Sequence, residues 1–431
     1  MEHDNLYTIR HVSAREILDS RGQPTVEAEI ILKDGTVGRA SVPSGASVGA
    51  NEVLELRDAD SNRFNGKGTI KAITNIKEKI GPALVGKDAR KQQNIDKIMI
   101  EMDGTSQKSK LGGNAMLAVS LAVMKAAAIA SDLRLYEYLN RGERFVLPVP
   151  MMNVINGGKH AGNDLRVQEF MIIPAGFNNF PDALRAGVEV YQSLRSHLKG
   201  RYGGSAINVG DEGGFAPPMK NTEEALDSLV RSIELAGYVP AKDIFLGLDL
   251  ASTNFFDPIS GKYNIDDKNL SPDELLQFYI SMISRYPIRS IEDPFFEEDY
   301  NNFASINEKI GQKVQIVGDD IFTTNYTRLS RGIDLGSGNA LIFKLNQVGT
   351  VSEAFETFDL AKRHDWNVIV SHRSGETEDT YIADISVGRS SGQIKAGAPC
   401  RGERTAKYNQ LLRIHEDLGS RANFAKIKFF S

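Results

Sequence analysis

Four residues stand at or near the ends of apolar runs, and their types point to metal and acid–base chemistry. Asp249 sits within the mostly apolar run 244–250. Glu292 ends an apolar run in Ser290-Ile291-Glu292-Asp293-Pro294, Asp319 follows residues 314–317, and Lys344 follows residues 340–343. Three carboxylates converging at one rim would repel one another unless a divalent cation lay between them. Oxygen-only ligands select a hard ion, which makes Mg²⁺ the expected one. Taken singly, each acid fits a helix cap or an arginine partner equally well. Three acids and a lysine in one register are harder to explain that way. A lysine directly after a buried strand is expected to be partly desolvated, which lowers its pKa and lets it act as a base.

Two further acids and a basic corner extend the set. Glu169 opens the run 169–173, and Glu212 lies in Gly210-Asp211-Glu212-Gly213-Gly214; both are candidate acid–base residues, although a solvated turn acid would look the same. His372-Arg373-Ser374 and Lys395 end the last two apolar runs, the usual phosphate position of a β/α barrel. The small-residue loops around Ser47 and His160 suit closure over a ligand, and also suit ordinary turns. Together these groups fit removal of a proton beside a metal-bound carboxylate.

The elements that must position these residues are legible in outline. Repeated units of strand, acid and helix predict a β/α barrel with its chemistry at the C-terminal ends of the strands. Ahead of it, residues 25–32 and 36–42 flank the turn Asp34-Gly35 as a hairpin, and helices are expected over 69–80, 89–102 and 113–130. The fold class is therefore α/β: an α+β capping domain over 1–140 and a TIM-like barrel over 141–431. At 431 residues, 41% hydrophobic and 25% charged, the chain has the composition of a globular protein. A net charge of −5 argues against a nucleic-acid surface, and the lone Cys400 fits a reducing compartment. No targeting signal is expected at the start, and the alanine-rich run 115–130 is expected to be too short to span a bilayer.

The sequence resembles the enolase family along nearly its whole length. The resemblance rests on residues 14–22 (Ala14-Arg15-Glu16-Ile17-Leu18-Asp19-Ser20-Arg21-Gly22), Ser44-Gly45-Ala46-Ser47, His160-Ala161-Gly162-Asn163, Gln168-Glu169-Phe170-Met171, residues 210–214, residues 290–294 and Ser371-His372-Arg373-Ser374-Gly375-Glu376. It implies a cytoplasmic, glycolytic hydro-lyase that converts 2-phosphoglycerate to phosphoenolpyruvate, with a surface-exposed or secreted fraction in some relatives. It further implies two Mg²⁺ per site: one on Asp249, Glu292 and Asp319, the second on Ser47 and substrate oxygens. By the same resemblance Lys344 is the base at C2. Glu212, with Glu169 beside it, helps the C3 hydroxide leave. Arg373 and Ser374 hold the phosphate, Lys395 holds the carboxylate, and His160 comes from a loop that moves; His372, Glu292 and Asp319 also border the substrate. A lysine base with Mg²⁺ is itself the known pattern of enolase-type sites, so it is no independent sign. The family barrel has an antiparallel second strand, which periodicity does not reveal. Val48 and Gly402 depart from the usual threonine and serine without touching a matched site residue.

The family also implies a homodimer, in some members assembled into an octamer, with Arg15 paired to Glu416 and Glu27 to Arg413 across a two-fold axis. Two other readings compete. A related acid dehydratase would lack the phosphate corner, and a non-catalytic binding protein descended from the family would have lost a ligand or the base.

Overall fold

The computed structural model describes residues 6–45, 51–140, 142, 144–158 and 161–430. Ser47, Val48 and His160 lie outside the described residues. The first part of the chain is a three-stranded antiparallel meander, β1 (Ile9–Leu18), β2 (Pro24–Leu32) and β3 (Val37–Ser41), with the turn at Asp34-Gly35 as the sequence predicts. Helices α1 (Ile70–Asn75), α2 (Gly81–Leu84), α3 (Gln92–Asp103), α4 (Gly113–Ala130) and α5 (Leu135–Leu139) follow. The first two are joined by a turn of π-helix over Ile76–Ile80, so the stretch read as one helix is a composite of α- and π-helical turns.

Helix α4 packs on β2 and β3. Its approach to β3 is so close that a methyl group at Gly38 would lie 2.3 Å from the Ala122 carbonyl oxygen, which explains the glycine there. At 18 residues α4 reaches membrane-crossing length and apolarity, contrary to the expectation, but 83% of it is buried inside the fold. It is the core helix of the first domain.

The remainder closes into an eight-stranded barrel. After β4 (Val146–Leu147) come β5 (Val149–Asn156), β6 (Glu169–Ile173), α6 (Phe180–Tyr202), α7 (Thr222–Leu235) and β7 (Phe245–Asp249). A small hairpin sheet, β8 (Phe256–Asp257), β9 (Lys262–Ile265) and β10 (Lys268–Leu270), precedes α8 (Pro272–Arg285). Strand and helix then alternate: β11 (Ile288–Glu292), α9 (Tyr300–Ile310), β12 (Gln315–Gly318), α10 (Tyr326–Leu335), β13 (Ala340–Phe343), α11 (Val351–Arg363), β14 (Asn367–Ser371), α12 (Tyr381–Gly388), β15 (Gly392–Lys395), α13 (Gly402–Leu418) and the short β16 (Asn423–Phe424).

The barrel order is β11-β12-β13-β14-β15-β5-β6-β7. All neighbours are parallel except β6, which runs against both β5 and β7. The strands are buried throughout or nearly so, the pattern of a barrel filled inside and covered by helices.

Candidate active site

The strand ends deliver the chemistry to one rim. Asp249 and Glu292 are the last residues of β7 and β11 and face each other in register. Asp319 and Lys344 directly follow β12 and β13. Lys395 ends β15 opposite Ser371, the end of β14, after which His372, Arg373 and Ser374 turn inward. Glu169 is the first residue of β6, yet it pairs with Asp249. The reversal of β6 brings the start of that strand to the rim where the others finish. An acid at a strand's beginning thereby joins acids at strand ends.

One pocket gathers Glu52, Glu169, Glu212, Asp249, Asp293, Asp319 and Asp320 around Lys344, His372, Arg373, Ser374 and Lys395. Lys395 is 1% exposed and donates to Asp249 Oδ2 at 3.0 Å and to Glu292 Oε2 at 2.8 Å, with Glu169 Oε2 at 3.2 Å. Burial alone would lower its pKa, but Asp249, Glu169 and Glu292 outweigh burial and hold it well above the ordinary lysine value. Burial pushes Glu169 and Glu292 far up the carboxylate range, reinforced by Glu212 for the former and Asp249 for the latter.

Lys344 corrects an expectation. It is buried among charges, and burial does act to lower its pKa. Its ion pair with Asp319 overcomes that effect, and the net shift is upward. Burial likewise pushes Asp319 up, and Lys344 more than reverses it. Desolvation alone therefore does not free this amine. It stays protonated as long as the Asp319 charge faces it.

The backbone around these groups is strained and tightly held. Asp293, Thr323 and Thr324 have φ of +43°, +46° and +51°, uncommon for non-glycine residues and most unfavourable for threonine. Asp293 accepts hydrogen bonds from the backbone N–H groups of Asp319 at 3.0 Å and Asp320 at 2.8 Å, which fixes the end of β12. Thr324 Oγ1 accepts from the Lys344 N–H at 2.9 Å and donates to Gln347 Oε1 at 2.7 Å, while Gln347 Nε2 donates to Asp319 Oδ1 at 2.9 Å. Lys344, its counter-ion Asp319 and their supports form one network.

The basic corner is built across the two domains. Arg373 Nη1 donates to Glu52 Oε2 at 2.8 Å and to Asn346 Oδ1 at 3.1 Å, and Nη2 reaches Glu52 Oε1 at 3.2 Å. Arg21 Nη1 donates to Ser374 Oγ at 3.3 Å. On the opposite side Asn153 Nδ2 donates to Glu212 Oε2 at 2.8 Å, and His372 Nε2 stands 3.7 Å from the same oxygen. Sequence reasoning missed Glu52, Asn153, Asp293, Asp320 and Gln347. Asp293 and Asp320 adjoin acids already singled out, so adjacency could have suggested them; no local signal marks the other three.

The donor set fits a divalent cation. Seven buried or half-buried acids line the pocket against Lys344, Arg373 and Lys395. Burial and mutual repulsion raise Glu169, Asp293 and Asp320 among them, and a hard cation on oxygen ligands relieves that strain. Among the described residues, Asp293, Asp319 and Asp320 come within 4.8 Å of one another, as do Glu169, Glu212 and His372. The expected trio of Asp249, Glu292 and Asp319 instead has Lys395 between its first two members and Lys344 on its third.

Comparison with known proteins agrees with this arrangement. Residues 9–139 match the family model described as the enolase N-terminal domain, and residues 144–431 match the enolase C-terminal TIM barrel domain. The chain is 57% identical to an enolase of Methanopyrus kandleri over 413 residues, 96% of each chain. It is 55% identical to one of Methanococcoides burtonii over 421 residues, 98% of each. Against one of Methanocaldococcus jannaschii it is 54% identical over 416 residues, 96% of this chain and 97% of the relative.

Proposed function

The chain belongs to the enolase family, and we propose that it works as a glycolytic enolase through the rim residues described above. As a phosphopyruvate hydratase it interconverts 2-phospho-D-glycerate with phosphoenolpyruvate and water. The observation that carries the assignment of roles is the position of Lys344 across the barrel from Glu169 and Glu212. Strands β13 and β6 are four places apart in a ring of eight. A base and an acid on opposite walls suit loss of a proton and of hydroxide from opposite faces of the C2–C3 bond.

In this reading Lys344 takes the C2 proton. Glu212 gives a proton to the C3 hydroxyl, with Glu169 beside it as a second buried carboxyl. Arg373, Ser374 and His372 border the phosphate, and Lys395 meets the substrate carboxylate. His160 and Ser47 keep their family roles. Asp249, Glu292 and Asp319 would hold Mg²⁺, with Ser47 at a second Mg²⁺. Held there, a divalent cation would supply positive charge next to the substrate carboxylate and opposite the Asp319 charge that now faces Lys344. The pairing of Arg373 with Glu52 and Asn346 fixes the position of its planar fork, as a phosphate clamp needs. A domain boundary at 140/141, a cytoplasmic location, and a homodimer in which Arg15 meets Glu416 and Glu27 meets Arg413 belong to the same proposal. Within its own chain Arg15 already pairs with Glu27 and Glu29. The acid-dehydratase and non-catalytic readings gain no support, since the base, the acids and the basic corner are all present.

The test is NMR of 2-phosphoglycerate with Mg²⁺ in D₂O. Lys344→Ala should lose both C2 hydrogen exchange and phosphoenolpyruvate formation. Glu212→Gln should lose product and keep much of the exchange, each loss being about 10²–10⁴-fold. Robust exchange in Lys344→Ala with none in Glu212→Gln reverses the roles. Equal loss of exchange in both removes the separation.

A further inference from the structure

The turn that joins β1 to β2 lies against the basic corner of the barrel. The Ser20 N–H donates to the Glu376 carbonyl at 2.7 Å, and Ser44 and Gly375 exchange backbone hydrogen bonds at 2.8 and 2.9 Å. A Cβ added at Gly375 would lie 2.5 Å from Asp19 Oδ2 and 2.8 Å from the Ser44 carbonyl oxygen, so the first domain approaches this loop as closely as a glycine permits. From the barrel side Arg404 of α13, completely buried, donates to the Arg373 and Ser374 carbonyls, each at 2.6 Å. The backbone of the loop is thereby held from both domains. What remains to be set is the direction of the Ser374 hydroxyl.

Arg21 sets it. Its Nη1 donates to Ser374 Oγ at 3.3 Å, and its Nη2 donates to the carbonyls of Ser44 and Gly45, each at 3.2 Å. A guanidinium only donates, so Ser374 Oγ is the acceptor in the first contact. The hydroxyl proton is then turned away from Arg21, and among the described residues it meets no acceptor. Ser374 is buried and lines the pocket beside Arg373. A donor left over in that place suits a ligand oxygen that carries charge and no proton, as a phosphate dianion does. Asp19 holds Arg21 in its turn: Oδ1 accepts from the backbone N–H groups of Arg21 and Gln23, each at 2.8 Å, and Oδ2 stands 3.7 Å from Arg21 Nη2.

We propose that Arg21 is a positioning residue through which the first domain takes part in phosphate recognition: it fixes the Ser374 hydroxyl as a donor toward the phosphate of the substrate. The proposal rests on the reading of Ser374 as a phosphate contact. The fork matters more than the charge. Lysine keeps the charge, but one ammonium cannot span the serine oxygen and two carbonyls as a rigid guanidinium does.

The experiment is a double-mutant cycle on the full chain with Mg²⁺, combining Arg21→Lys with Ser374→Ala. It reads KM and kcat for 2-phosphoglycerate and, by calorimetry, the Kd of inorganic phosphate. Arg21→Lys should raise KM and the phosphate Kd by about tenfold and leave kcat within about threefold. In the Ser374→Ala background the same change should move either constant by less than about twofold, because the group it acts through is gone. A change in Arg21→Lys that persists in full in that background overturns the proposal, as does a fall in kcat with KM and phosphate affinity unmoved, or no change at all. If Arg21→Lys fails to fold by circular dichroism, Arg21→Gln takes its place in the cycle; if neither folds, Arg21 serves the fold and the proposal falls. Ser374→Ala with unaltered KM and phosphate Kd would instead remove Ser374 from the phosphate contacts, a failure of the underlying reading that the single variant shows by itself.

Discussion

Asp384 offers a measurable pH dependence away from the pocket. It lies on α12, is 5% exposed, and accepts from Gln410 Nε2 of α13 at 3.2 and 3.3 Å. Burial pushes its pKa from 3.8 up to about 6, against the Gln410 hydrogen bond and Lys125, and with help from Asp379. A rise of about two units corresponds to about 3 kcal/mol at 1.36 kcal/mol per unit. Because the folded-state pKa lies above the unfolded one, the folded chain holds this proton where the unfolded chain has released it. Stability therefore declines as pH rises from about 4 to about 6, and the whole penalty is present above that window. Asp384→Asn keeps an acceptor for Gln410 and removes the charge. Urea midpoints for parent and variant should coincide near pH 4, and the variant should gain up to about 3 kcal/mol by pH 8. That gain is a large share of the stability of an ordinary domain. An equal gain at both pH values would mean that packing or hydrogen bonding, rather than ionisation, separates the two. A variant less stable at pH 8 would refute the reasoning outright.

Two further outcomes follow from the site. Asp319→Asn should weaken Mg²⁺ binding by about tenfold or more while leaving the fold in place, since the residue directly follows a buried strand and its backbone is already held by Asp293; unchanged affinity in calorimetry would remove Asp319 from the ligand set. Glu52→Gln leaves the buried Arg373 charge without its carboxylate, so the variant should lose about 3–5 kcal/mol of stability and recover part of it as inorganic phosphate is added. A urea midpoint that does not respond to phosphate would count against Arg373 as the anion clamp.

The sequence by itself determined which residues stand at strand ends, because a carboxylate or lysine that stops an apolar run is visible without coordinates. It also determined the hairpin, the buried alanine-rich helix and the family. The direction of β6 was not visible in the pattern of residues, because a buried strand reads alike in either direction; the family resemblance alone carried it. Only the reversal explains why Glu169, at the beginning of its strand, faces Asp249 at the end of another. Contacts between distant segments were equally out of reach. Glu52 and Arg373 lie 321 residues apart, and Arg404 sits in a helix whose local pattern gives a buried arginine no distinguishing mark. The charge state of Lys344 was misjudged for the same reason. Burial can be guessed from a neighbouring apolar run, but a pKa depends on which charge stands closest, and the ion pair with Asp319 exists only once β12 and β13 lie side by side.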